Sequence, residues 1–161
     1  MDQLNFEKFK AKDFNDYFLL VSNEQVMAQI TERAIPLEEA RINYQKLLAR
    51  NQKDELFGSY KVYDRLTEEY IGLGHLTINE SLTEEAELGY MILPNYWGKG
   101  YGHLIAKHLI AIAKQTKVHT LTAIIDPENI PSRKILLKNG FNSVKLCEIE
   151  GLPGEILSRN I

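Results

Sequence analysis

The sequence predicts an α/β (α+β) fold, with a central, mixed but mostly antiparallel sheet of about seven strands flanked by about four helices. Three observations carry this reading. Aromatic and branched runs follow one another through the middle of the chain at 56–63, 70–78 and 86–93, with connectors short enough for antiparallel hairpins. A glycine-punctuated turn, Gly98-Lys99-Gly100-Tyr101-Gly102, leads straight into an apolar helical stretch. A further strand run at 118–125 follows that helix, so 86–125 reads as a right-handed β-α-β crossover joining two parallel strands.

The remaining elements fall around this centre. A first strand is expected at 3–9 and a helix at 11–21, where Phe14, Phe18 and Val21 share a face. A short helical turn is expected at 24–27. Pro36 suits the first turn of the next helix, in which Leu37, Ala40, Tyr44, Leu47 and Leu48 recur at helical spacing to about residue 51. Gly72 and Gly74 inside a strand run mark a bulge or a close backbone approach. The helix at 101–115 turns Leu104, Ile105, Leu109 and Ile112 inward, and His103, Lys107 and Lys114 outward. Asn129 is a good N-cap for a helix ending near Asn139, with Gly140 as its stop. Strands at 141–149 and 155–160 close the chain around a turn at 151–154.

Composition bounds the function. At 161 residues the chain reads as one domain, 1–161, long enough for a real core. A net charge of -3 gives no electrostatic footprint for nucleic acid. The single cysteine, Cys147, excludes an intrachain disulfide and a cysteine metal site, which fits a cytoplasmic setting. Residues 1–12 are polar and mixed in charge, with no secretory pattern, and no apolar run approaches 18 residues, so no membrane span is expected. The four histidines, His75, His103, His108 and His119, show no ligand spacing, and no metal is expected.

The glycine turn is the chemical signal. Its backbone N–H groups and the positive end of the following helix dipole make an anion site, most often for phosphate. It is not a Walker A loop, because Gly98-Lys99 is followed by glycine. Nor is it a dinucleotide fingerprint, because Ile105 stands where a third glycine belongs. Trp97-Gly98-Lys99-Gly100-Tyr101-Gly102 resembles the acyl-CoA pyrophosphate loop of the GNAT acetyltransferase superfamily, [Q/R]-x-x-G-x-[G/A], except at Trp97. The string from Tyr96 to Tyr101 is similar to the branch typified by the ribosomal-protein N-terminal acetyltransferases RimJ and RimL. Asn129-x-x-Ser132 followed by Gly140-Phe141 resembles the superfamily's second signature, and the element order matches its fold along the chain. Two departures stand out. Leu136 occupies the place of a tyrosine general acid common in the superfamily, and Leu137 that of a glutamate frequent in the branch.

The resemblance implies transfer of acetyl from acetyl-CoA to a primary amine, by direct attack in a ternary complex. The acceptor is a protein N-terminal α-amino group or a small-molecule amine. A lysine amine near pKa 10.4 is only about 0.04% neutral at pH 7, and an α-amino group near 7.8 is roughly 14% neutral. A base of near-neutral pKa helps in either case. By the resemblance, the backbone of Met91, Ile92 and Leu93 pairs with the pantetheine arm, and an N–H near Met91 polarises the thioester carbonyl. The amides from Gly98 through Lys99, Gly100 and Tyr101 to Gly102 bind pyrophosphate. Lys99 either adds charge or is a solvated loop lysine. Trp97 either belongs to that loop or anchors in the core. Asn129 caps its helix, and the family reading adds a pantetheine contact.

Glu87 is the candidate base. On an alternating strand it shares a face with Gly89 and Met91, opposite Leu88, Tyr90 and Ile92. Its pKa rises if it is buried; the alternative is a solvent-facing glutamate. Ser132 either returns a proton to the departing thiolate or is a plain first-turn serine. Glu80, Glu84 and Glu85 look solvated. Acceptor contacts are expected from 23–36 and from the hairpin at 148–155, whose exposure makes a homodimer plausible. The competing reading is a non-catalytic acyl-CoA-binding module of the same fold.

Overall fold

The computed structural model describes residues 3–161. Its strands form one seven-stranded sheet in the order β1-β2-β3-β4-β5-β7-β6. They are β1 (Leu4–Lys8), β2 (Gly58–Asp64), β3 (Tyr70–Ile78), β4 (Glu85–Ile92), β5 (Thr120–Ile125), β6 (Asn142–Ile149) and β7 (Leu152–Asn160). Every neighbouring pair is antiparallel except β4–β5. The helices are α1 (Phe14–Val21), α2 (Glu24–Met27), α3 (Leu37–Lys53), α4 (Tyr101–Ala113) and α5 (Ile130–Lys138). The expected fold class and the 86–125 crossover are both present.

Alternation along the strands builds two cores. Ala86 and Leu88 of β4 face one side, where Ile105, Leu109 and Ile110 of α4 and Leu136 of α5 meet them. Leu73 and Met91 face the other side, against Phe9, Tyr17, Leu20, Tyr44 and Leu47. The helix expected at 11–21 is divided. Residues Ala11–Asp13 form a 3-10 turn, and α1 begins at Phe14. Asp13 explains the division: its carboxylate accepts the N–H of Lys10 at 2.9 Å and pairs with Lys61 at 3.1 Å. The turn before α2 is fixed by Asn23, whose side chain accepts from the amides of Gln25 and Val26.

The last hairpin is tighter than expected. Its turn is Glu150-Gly151, both at positive φ (52° and 82°), not 151–154. Two residues of that kind make the hairpin turn whose twist matches the strands. Pro153 and Gly154 therefore lie inside β7, where they pair with β6 alone, because β5 reaches only to Glu155. His103 is also not free on the outer face of α4; its Nδ1 meets the side-chain amide of Asn139 at 3.1 Å.

Both causes anticipated for the β3 glycines fall at Gly72, whereas Gly74 lies against the side chains of Ile105 and Leu109 of α4. The β2–β3 register shifts at Val62/Tyr63, a bulge. A Cβ on Gly72 lies 2.1 Å from the carbonyl oxygen of Met91, a backbone atom that cannot move aside. We expect Gly72→Ala to part β3 from β4 and lower Tm by about 2–12 °C, as overpacking of about 1–3 kcal/mol does in a chain of this size. Thermal melting followed by circular dichroism tests this; an unchanged Tm would refute the close approach.

Candidate active site

β4 and β5 pair over only three residues, Glu85–Glu87 against Thr120–Thr122. Beyond them β4 pairs only with β3, and β5 only with β7. A gap therefore opens in the sheet between 88–92 and 123–125. Backbone groups alternate along a strand, so the bonds at its two ends show which groups line the gap. The carbonyl of Glu84 accepts from His119 and Thr120, toward β5, while the amide of Leu93 donates to Ile71, toward β3. The carbonyl of Leu88 and the groups of Tyr90 and Ile92 thus turn into the gap, the amide of Leu88 closing the β4–β5 ladder on Thr122, and the groups of Met91 and Leu93 turn to β3. The amides near Met91 that face the gap are those of Tyr90 and Ile92, on either side of it. The carbonyl of Ile92 already accepts from the indole Nε1 of Trp97, at 2.8 Å.

Trp97 is accordingly not a core anchor. It is 49% exposed and ties the glycine turn back to the end of β4. A 3-10 turn at Pro94–Tyr96 carries the chain from β4 into it. Gly98 and Gly100 have φ of 72° and 85°, which side chains avoid, and a Cβ on either meets nothing within 4 Å. Their open side leaves the backbone approachable. Gly100 is the N-cap of α4 and supplies no side-chain cap, so the first-turn amides of the helix have no side-chain acceptor. Gly102 is different. It is buried inside α4, and a Cβ there lies 2.8 Å from Cδ1 of Ile135 and 3.5 Å from Cε1 of Tyr90. It serves close packing of α4 on α5 and β4. Lys99 is exposed, with Nζ 5.9 Å from the centroid of Tyr96.

Two further contacts brace the turn. The phenol of Tyr101 donates to the buried carboxylate of Asp64 at 3.3 Å. That carboxylate also accepts the amides of Leu66 and Thr67, at 2.8 and 3.0 Å, which hold its pKa below the ordinary range. Neither contact was expected from the sequence, because Tyr101 and Asp64 are far apart in it and neither belongs to a motif.

The two faces of the gap carry different chemistry. On one, Glu87 lines a cavity of about 250 Å³ with Thr77, Asn79, Glu85, Thr122 and Ile124. Burial alone raises the Glu87 carboxyl above the usual carboxylate range. Glu80 and Glu84 are exposed as expected; Glu85 is half-buried and accepts from Asn79 at 3.4 Å. His75, across the strand pair from Gly89, lies over that glycine, and burial lowers its pKa to about 4, so it is neutral. Gln29 follows α2 within the expected acceptor segment, and its side-chain amide reaches the carbonyl of Glu128 at 3.5 Å.

On the opposite face stands Ser132, in the first turn of α5. Asn129 caps that helix, its Oδ1 accepting from the amide of Ser132 at 3.3 Å. Tyr90, read from the sequence only as an inward strand residue, brings its phenol to 3.3 Å from Oγ of Ser132. Leu136 is 1% exposed and packed in the core, so nothing at that position reaches the gap, and Leu137 faces outward. Arg133 beside Ser132 is held by the buried Glu155 of β7, at 3.1 Å. Among the described residues no group of three or more His, Cys, Asp or Glu is placed to hold a metal ion, and no helix is long and apolar enough to cross a membrane.

The comparisons agree with this geometry. Residues 3–142 match the model of the acetyltransferase (GNAT) domain. The chain is 28% identical over 141 residues to YnaD of Bacillus subtilis (strain 168), named an uncharacterized N-acetyltransferase; the match covers 86% of this chain and 79% of YnaD. A GNAT-family acetyltransferase from Bacillus anthracis superposes with a TM-score of 0.82 at 22% identity, covering 99% of this chain and 95% of that one. Spermidine N-acetyltransferase from Vibrio cholerae, in complex with CoA and spermine, gives 0.81 at 20% identity over 98% and 95%. Those two structures speak for the fold, and the domain match for the family: this chain is an N-acetyltransferase of the GNAT family.

Proposed function

We propose that the enzyme moves the acetyl group of acetyl-CoA to a primary amine of a small, positively charged acceptor, by direct attack in one ternary complex. The observation that carries this reading is the gap between β4 and β5, with Glu87 on one face, Ser132 on the other and the glycine turn at its end. The residues present fit acetyl-CoA. An extended chain bearing amides can pair with the free edge of Leu88 and Tyr90. The approachable backbone at Gly98 and Gly100 and the uncapped start of α4 suit a pyrophosphate. Bound there, acetyl-CoA supplies the thioester that the amine attacks.

The protein's own groups divide the remaining work. Glu87 takes the proton from the acceptor amine, directly or through water. An N–H of Tyr90 or Ile92 stabilises negative charge gathering on the thioester oxygen. Ser132 holds the proton for the departing sulfur. The cavity beside Glu87 lies just below the usual range for ligand pockets, about 300–1,000 Å³, and two of its lining residues are carboxylates. That supports a compact amine carrying positive charge. The second reading is a protein α-amino group, favoured by the likeness of Tyr96–Trp97–Gly98–Lys99–Gly100–Tyr101 to the RimJ/RimL-like branch.

Calorimetric titration with acetyl-CoA, with ATP and NAD as controls, comes first. We expect one-site micromolar binding to acetyl-CoA alone, followed by thiol release with a small amine. Binding without turnover on any amine or peptide panel would instead mark an acyl-CoA-binding protein, and turnover on peptides alone would favour the second reading. Gly100→Ala places a side chain at φ of 85° and over the anion site. It should raise the KM for acetyl-CoA about tenfold or more while leaving kcat within about twofold, a loss of binding shared by ground and transition states. Unchanged KM would remove the turn from the cofactor site.

Glu87→Gln should lower kcat/KM by about 10²-fold or more and abolish the acid limb of its pH profile. The sign for stability is opposite. A carboxyl whose pKa is raised on folding binds more protons in the native state between its unfolded and folded values. Stability therefore falls as pH rises through that window, and the ionised group costs stability at pH 7. Glu87→Gln should raise Tm at pH 7 rather than lower it; a wild-type pH profile with normal kcat/KM would end the assignment as base.

A further inference from the structure

Two hydroxyls meet beneath the gap, on the face away from Glu87. Tyr90 sends its ring from β4 toward the start of α4 and the first turn of α5, where it packs against the core that holds Leu136. Its O–H donates to Oγ of Ser132 at 3.3 Å. The serine is itself fixed from a second direction, its amide held by Oδ1 of Asn129 at 3.3 Å. Tyr90 is also the strand residue whose backbone groups turn into the gap. One residue thus lines the gap with its main chain and supports Ser132 with its side chain.

We propose that Tyr90 is a positioning residue for the proton that leaves with the CoA thiol: by donating to Ser132 it orients that hydroxyl so that its own O–H points into the gap. This inference rests on the reading of the gap as the thioester site. In the step it serves, the carbon–sulfur bond breaks and its electron pair stays on sulfur. The O–H proton of Ser132 passes to that sulfur, and the phenol proton of Tyr90 passes to Oγ. Tyr90 then recovers a proton from water, while Glu87 returns to water the proton it took from the amine, so the protons balance. A tyrosine on β4, acting through a serine on α5, thus stands in for the side chain that Leu136 does not provide. In the resting enzyme burial raises the Tyr90 phenol above the ordinary range and keeps it protonated as the donor to Ser132, with the hydrogen bond to Ser132 pulling the other way.

The test is a double-mutant cycle on the whole enzyme with Tyr90→Phe, Ser132→Ala and the pair. It is read as kcat, KM for acetyl-CoA, the pH profile and the solvent deuterium isotope effect on kcat, with calorimetry for acetyl-CoA binding and thermal melting for folding. We expect Tyr90→Phe to lower kcat about tenfold, to shift the isotope effect and to leave acetyl-CoA affinity within about twofold. The double variant should be no slower than Ser132→Ala alone, because the two hydroxyls act as one unit. Wild-type kcat in Tyr90→Phe, or losses that multiply in the double variant, would overturn the inference while leaving the acetyltransferase reading intact. If Tyr90→Phe melts early, Ser132→Ala reports the pair from the α5 side, and an unchanged isotope effect there would overturn it equally. Failure of the wild-type protein to bind acetyl-CoA would instead remove the reading on which the proposal stands.

Discussion

The active-site geometry depends on where β4 and β5 stop pairing. A parallel pair carries evenly spaced backbone bonds, and buried N–H and C=O groups are costly when left without partners. Here the pairing ends after Glu87 and Thr122, in the interior of a seven-stranded sheet. The carbonyl of Leu88, both groups of Tyr90 and the amide of Ile92 are left facing a gap, not a neighbour. An internal edge of this kind favours an extended ligand with its own amides, as peptide-binding proteins use an outer edge to add a strand. On the proposed function, the cofactor site is a missing stretch of sheet more than a hollow in the surface. Binding there completes a pattern that the fold leaves interrupted.

The glycine turn has to stand at a fixed place relative to that gap. Its conformation is set locally by Gly98 and Gly100, but its position is set by side chains that flank them. Trp97 bonds back to Ile92, Tyr101 reaches Asp64 on the β2–β3 hairpin, and Tyr96 interacts with Glu69 on the same hairpin. Three rigid aromatic side chains thus moor a loop whose own residues carry almost no side chain. Support of this sort lets exposed backbone serve as a binding surface without wandering. The cost is visible at Ile92, where one gap-facing carbonyl is already taken by the indole.

Much of this was legible in the sequence, and the limits have physical causes. Periodicity and turn residues located every strand and the longer helices, because those signals act within a few residues of each other. Gly98, Gly100 and Asn129 were legible as backbone devices because glycine takes such φ values at least cost and short polar side chains cap best. Tyr90 was not. On an alternating strand a tyrosine opposite Glu87 reads as core, and its hydroxyl partner is 42 positions away. Trp97 was ambiguous because an indole buries well in general, and only the fold shows that it lies half outside. Gly102 was read only through its amide, whereas the close approach of Ile135, 2.8 Å from a Cβ there, adds a packing reason for a glycine at that position. The hairpin turn at Glu150-Gly151 was overlooked because Pro153 and Gly154 also signal turns, and only the reach of β5 tells them apart.

Acyl transfer to an amine needs a proton taken from one partner and another given to the other. A sheet with a gap answers this by its two-faced character. Successive side chains of β4 point to opposite sides, so Glu87 and Tyr90, three positions apart, stand on different faces, Glu87 at the end of the paired stretch and Tyr90 beside the gap. On the proposed function, the acceptor amine meets a carboxylate on the side of the open cavity, and the sulfur faces a hydroxyl pair held by α5. Burial acts on both groups in the same direction, raising each, yet the consequences differ. A raised carboxyl becomes a better base close to neutrality, and a raised phenol stays a donor. The same desolvation therefore suits two opposite tasks, and the pleat of one strand keeps them from neutralising each other.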